Sequence, residues 1–165
     1  MEFIGIQNIK NQNLICLDFD DCIVPWNEFL PPYNSYSEEY ILKETRKNVN
    51  YIKEMCDKYN FKAFITSSWT KVLDENYNLD IEIVRREIYF ELLNIIKELP
   101  LIGKDPFNDR NVAIDVLLEN GNIVVAIDDL DLSLFHNEDN FYFLNVLNGK
   151  NLNKLEDILK ELNGK

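Results

Sequence analysis

The chain of 165 residues is 46% hydrophobic and 28% charged, the balance of a globular domain able to bury a core without disulfides or metal staples. Its formal charge of −12 repels polyanions and argues against an extended nucleic-acid-binding surface, which needs arrays of Lys and Arg. No window approaches the roughly 20 apolar residues that cross a bilayer, and Met1-Glu2-Phe3-Ile4-Gly5 lacks the basic and apolar regions of a secretory signal. A cytoplasmic protein without membrane contact is expected.

In chain order, the first strand is predicted over Asn13–Phe19, a continuous apolar run that ends in acids. Such a run suits a strand buried on both faces of a parallel sheet. A turn-rich flap follows at about residues 22–36, with Pro31-Pro32 and the aromatics Trp26, Phe29, Tyr33 and Tyr36. These rings could stack on a base or simply pin the loop to the core. Ser37 then precedes a helical pattern in which Tyr40, Ile41, Thr45, Val49, Ile52, Met55, Cys56 and Tyr59 recur at three- and four-residue steps. Phe61–Thr66 reads as the second strand, and Ile83–Lys97 as a helix that Pro100 closes. Leu101-Ile102 is a short strand candidate. A helix is predicted over about Asn111–Glu119 with Asn120-Gly121 as its stop, then a strand over Ile123–Ile127 that runs into Asp128-Asp129. Phe141–Leu144 is a last strand, and Leu152–Leu162 an amphipathic closing helix.

Strands alternate with helices and no repeat or long linker interrupts them, so residues 1–165 are expected to form one α/β domain. The predicted architecture is a doubly wound, mostly parallel, Rossmann-like sheet. The gaps between strands are filled by helices the core itself requires, which leaves no room for a full cap domain. In such sheets ligands bind beyond the carboxyl ends of the strands, near a topological switch point.

Two predicted strands finish there in carboxylates, Asp18 with Asp20 and Asp21, and Asp128 with Asp129. Buried carboxylates are costly unless they are paired, hydrogen-bonded or bound to metal. Taken singly, either set could be a solvated strand end or a helix cap, and Asp131 is read as a turn residue. Thr66, with Ser67 and Ser68, ends the second strand and offers hydroxyl and backbone donors to a phosphoryl oxygen; alone, these would be ordinary turn residues. Lys104 and Arg110 flank the next helix, and either could steady a transferring phosphoryl group or simply face solvent. Cys16, Cys22 and Cys56 show no CxxC spacing, so neither a disulfide framework nor a zinc site is expected. With the single histidine His136, a bound metal should rest mainly on oxygen, which points to magnesium.

The order of these signals resembles the haloacid dehalogenase (HAD) superfamily. Asp18-Phe19-Asp20, Ile65-Thr66-Ser67-Ser68-Trp69, Arg110 to Ile114 and Ile127-Asp128-Asp129 are similar to the small HAD domains of "Swiss Army knife" RNA-repair proteins and their phage-like relatives. Those read DFDG, SSSWR, a Lys- or Arg-bearing helix start, and DDD. Here Asp21 and Cys22 replace the frequent Gly and Thr or Val, Thr70 stands where Arg is common, and Asp128-Asp129-Leu130-Asp131 is partly like DDD. The resemblance implies a phosphatase. In it Asp18 is the nucleophile that forms an aspartyl-phosphate, and Asp20 is the general acid and base. It further implies Mg2+ on the Asp18 carboxylate, the Asp20 main-chain carbonyl and Asp128, helped by Asp129. Thr66, or second Ser67, would bind the phosphoryl group, and Lys104, with Arg110 as rival, would neutralise charge. A site without a cap suits a bulky substrate such as a nucleic-acid end or a phosphoprotein, and a phosphomonoester of a nucleic-acid end or nucleotide is expected. A non-catalytic or receiver-like phospho-acceptor is the alternative.

Overall fold

The computed structural model describes residues 4–26, 36–80, 86–136 and 138–163. Five strands, β1 (Asn13–Leu17), β2 (Lys62–Ile65), β3 (Leu101–Lys104), β4 (Ile123–Asp128) and β5 (Phe141–Asn145), form one sheet in the order β3-β2-β1-β4-β5. Every pairing is parallel. Among the described residues, four α-helices accompany them: α1 (Glu38–Tyr59), α2 (Glu87–Ile96), α3 (Arg110–Glu119) and α4 (Leu155–Asn163).

Alternate strand residues feed two separate cores, as the two-residue period of a pleated strand requires. Ile15, Leu17, Ala63, Ile65, Val125 and Ile127 pack with residues of α1, α2 and α4. Leu14, Cys16, Phe64, Val124 and Ala126 meet Ala113, Ile114 and Leu117 of α3, with Ile6 and Ile9 of the N-terminal segment. The sheet is thus covered on both faces, which is why β1 and β4 read as unbroken apolar runs. The fold is a doubly wound, Rossmann-like α/β sheet. The chain winds outward from β1 through β2 to β3, then returns to lay β4 on the other side of β1. The winding reverses between β1 and β4.

Local chemistry sets the element ends. Ser37 caps α1, its Oγ accepting from the Tyr40 N–H at 3.2 Å, with Glu38 and Glu39 in the first turn. Asn60 closes α1 in the left-handed conformation, φ 59°. β1 stops at Leu17, two residues before the predicted end, because Asp18-Phe19-Asp20 already enters the turn that bridges Asp20 to Val24. β3 runs on past Ile102 to Lys104, since Gly103 fits closely between Phe64 and Ile9. The closing segment starts as a 3-10 turn, Leu152–Lys154, before α4 begins. The predicted flap falls largely on residues 27–35, and the predicted start of the α2 helix on residues 81–85, both outside the described residues. Among the described residues, no helix is long and apolar enough to cross a membrane.

Candidate active site at the switch point

Register brings the predicted residues to one edge of the sheet. Leu17 is paired with Ile65 on one side and with Ile127 on the other. The Asp18 N–H donates to the Ile127 carbonyl at 3.0 Å, and the Thr66 N–H to the Leu17 carbonyl at 3.0 Å. The Asp105 N–H continues this row by donating to the Ile65 carbonyl at 2.8 Å. The carboxyl ends of β3, β2, β1 and β4 therefore finish side by side, with Asp105, Thr66, Asp18 and Asp128 in a line.

Asp18 and Asp128 are 4% and 1% exposed, and one oxygen from each lies within 4.8 Å of the other and of an Asp129 oxygen. Arg110, in the first turn of α3, reaches this group. Its guanidinium donates to Asp128 Oδ2 at 2.5 Å and lies 3.7 Å from Asp18 Oδ1. Asp128 Oδ1 accepts from the Leu130 N–H at 3.0 Å, which turns the chain as it leaves β4. Burial pushes the Asp18 carboxyl well above the usual carboxylate range, reinforced by repulsion from Asp128 and by its contact with Asp129. Asp128 is pushed up to about 6 by burial, against the opposing pull of Arg110. With all three carboxyl groups ionised the cluster would outweigh the single guanidinium charge, and a further cation would relieve the repulsion.

Asp20 lies outside that carboxylate group. Its Oδ1 accepts from two indoles at once, Trp26 Nε1 at 2.8 Å and Trp69 Nε1 at 2.8 Å. Both tryptophans are buried. Trp69 packs edge-on to Phe19 at 5.2 Å, and both indoles pack against Tyr89, at 5.3 Å from Trp26 and 5.2 Å from Trp69. Arg86 lies over the Trp26 ring at 5.3 Å. Asp21 has a left-handed backbone, φ 56°, a conformation that aspartate tolerates better than most residues other than glycine.

A small hollow of about 130 Å³ opens beside the carboxylates, lined by Thr66, Ser67, Ser68, Thr70, Asp105 and Arg110 among others. Ser67 Oγ accepts from the Trp69 N–H at 3.2 Å, and Thr70 Oγ1 bonds Asn108 Oδ1 at 3.3 Å. Of the two candidate cations, Arg110 joins the carboxylates and lines this hollow, whereas half-buried Lys104 ends β3 and is not among its lining residues. Cys22 is buried near the carboxylates, and burial with their negative charge pushes its thiol up, which disfavours the thiolate.

Sequence reasoning missed Asp105, Asn108 and the indole partners of Asp20. Asp105 carried the same signal as Asp18 and Asp128, an acid directly after a strand, but β3 was read as ending too early to show it. Nothing in the sequence pairs Trp26 with Trp69 across 43 residues of chain.

Compared with known proteins, the chain matches no family model, no curated protein and no solved structure.

Proposed function

We propose that this chain is a magnesium-dependent phosphatase of the HAD kind, acting on a phosphomonoester of a nucleotide or a nucleic-acid end. One observation carries the reading: Asp18, Asp128 and Asp129 converge within 4.8 Å at the switch point of a doubly wound sheet, where such folds bind ligands. The donor set there is all oxygen, and two of the three carboxylates are almost fully buried, which fits a hard divalent cation held by Asp18, Asp128, Asp129 and the Asp20 main-chain carbonyl. Such an ion supplies the positive charge that lets an anionic nucleophile approach a phosphate.

The chain's own groups then divide the work. The hollow beside Thr66 and Ser67 has room for a phosphoryl group. Thr66 and Ser67 donate hydrogen bonds to phosphoryl oxygens, and Arg110 balances charge on both the nucleophile and the phosphate. A carboxylate oxygen of Asp18 attacks phosphorus while the ester P–O bond breaks, and the departing oxygen takes a proton from Asp20. Water next attacks phosphorus as Asp20 takes its proton, the bond to Asp18 breaks, and orthophosphate leaves. Both aspartates return to their starting states.

The net charge of −12 favours small substrates or single termini over long polyanions. Purified protein should hydrolyse p-nitrophenyl phosphate with magnesium, lose turnover on chelation, and lose at least about a thousandfold in kcat in Asp18→Asn, as expected for loss of a nucleophile. Absence of magnesium-dependent turnover in the wild type overturns the reading. A panel of nucleotides, 3′- and 5′-phosphorylated oligonucleotides and sugar phosphates then selects the substrate.

A further inference from the structure

The chain's single histidine lies apart from the Asp18 site, between α3 and the segment that joins β4 to β5. His136 is 3% exposed, and its ring packs on Phe141 at 4.9 Å, which fixes its orientation. Nε2 is 3.0 Å from Asn111 Oδ1. In the tautomer with its hydrogen on Nε2, that nitrogen donates to the amide oxygen. In the neutral ring Nδ1 is then a lone-pair nitrogen, and it lies 3.0 Å from Asp115 Oδ1. The two atoms are not aligned for a hydrogen bond, and Nδ1 is buried without a hydrogen-bond partner. A lone pair and a carboxylate oxygen repel each other at this distance unless something positive lies between them.

Glu138 completes the arrangement. A nitrogen of His136 and one oxygen each of Asp115 and Glu138 lie within 4.8 Å of one another. Two ligands bound to one zinc at about 2.1 Å and at the tetrahedral angle stand about 3.4 Å apart, so the 3.0 Å between Nδ1 and Asp115 Oδ1 opens by only a few tenths of an ångström on binding. The bond from Nε2 to Asn111 is the support that metal-bound imidazoles receive, since it fixes the tautomer and aims the other nitrogen. Asp115 has a side chain 52% exposed and Glu138 is exposed, so an ion can enter from solvent. Glu119 and Asp139 line the same surface hollow and add negative potential.

We propose that His136, Asp115 and Glu138 form a binding site for a divalent transition metal, zinc foremost, separate from the carboxylate cluster at Asp18. One imidazole with two carboxylates suits zinc, whereas the all-oxygen cluster suits magnesium. The bound ion ties α3, which carries Arg110, to the segment that follows Asp128 and Asp129. It is a structural pin behind the candidate active site, and it does not depend on the phosphatase reading.

The test is calorimetric titration of the whole protein with zinc chloride in excess magnesium, which occupies the Asp18 cluster. Wild type should take up one zinc, and so should Asp18→Asn. Asp115→Asn and Glu138→Gln change exposed residues and should leave the fold intact while each weakens zinc binding at least about tenfold; the double variant should abolish it. Binding that persists in the double variant, binding lost in Asp18→Asn, or no uptake by wild type, as an imidazolium–Asp115 ion pair would give, each overturns the proposal.

Discussion

Two indole N–H groups on a single oxygen of Asp20 are an unusual provision for a residue at a strand end. Each N–H donates to Asp20 Oδ1, and together they hold the carboxyl group in one orientation. If Asp20 protonates the leaving oxygen, its placement matters most when that oxygen is a poor leaving group. Trp69→Phe and Trp26→Phe should therefore lower kcat on an alkyl phosphate about tenfold or more, yet change turnover of p-nitrophenyl phosphate little, since p-nitrophenolate leaves without a proton. An equal fall on both substrates would assign the indoles a structural role alone. The sequence showed Trp69 beside the Thr66-Ser67-Ser68 hydroxyls, but its partner lies 49 positions earlier and is met only once β1 and β2 lie side by side. Asp18 and Asp128 were legible for the opposite reason, because burial of a strand is written in consecutive residues.

At the scale of elements, pattern and register account for what could be read. β1, β2 and β4 stood out because both faces are covered, so each is a run of apolar residues. β3 was harder: only Leu101-Ile102 is plainly apolar, and the strand's continuation through Gly103 depends on the close approach of Phe64 and Ile9. The junction of elements at the opposite end of the sheet depends on a residue that no pattern marks. Asn122 is fully buried. Its Nδ2 donates to the carbonyls of Ile9 and Leu117 at 2.8 Å each, and its Oδ1 accepts from the Gln12 N–H at 2.9 Å. One side chain thus joins the entry to β1, the end of α3 and the start of β4. Asn122→Ala should cost about 3 kcal/mol, at about 1 kcal/mol for each lost bond, measured by urea denaturation. Far from the carboxylates, it should leave the kcat of the folded fraction unchanged.

For the whole molecule, the concentrated negative charge at the switch point is a liability to the fold. Removing one of the buried carboxylates should stabilise the metal-free protein, since the lost charge is repelled by Asp128 and disfavoured by burial. Asp18→Asn should raise Tm without metal by about 2–4 °C, the shift that about 1 kcal/mol produces in a domain of this size. Magnesium should then raise the Tm of wild type more than that of the variant. Differential scanning calorimetry with and without the ion checks both, and a variant less stable than wild type in the absence of metal would show that Asp18 is not under electrostatic strain.

β1, which precedes the other four strands in chain order, is also the middle strand of the sheet. During synthesis β1 emerges well ahead of the neighbour on its second edge, β4, which begins at Ile123. Until then an apolar ribbon buried on both sides in the finished protein has one edge unpaired. Such an edge invites pairing with other chains. Productive folding therefore waits on the ribosome, and an interrupted nascent chain is the form of this protein most in need of a chaperone.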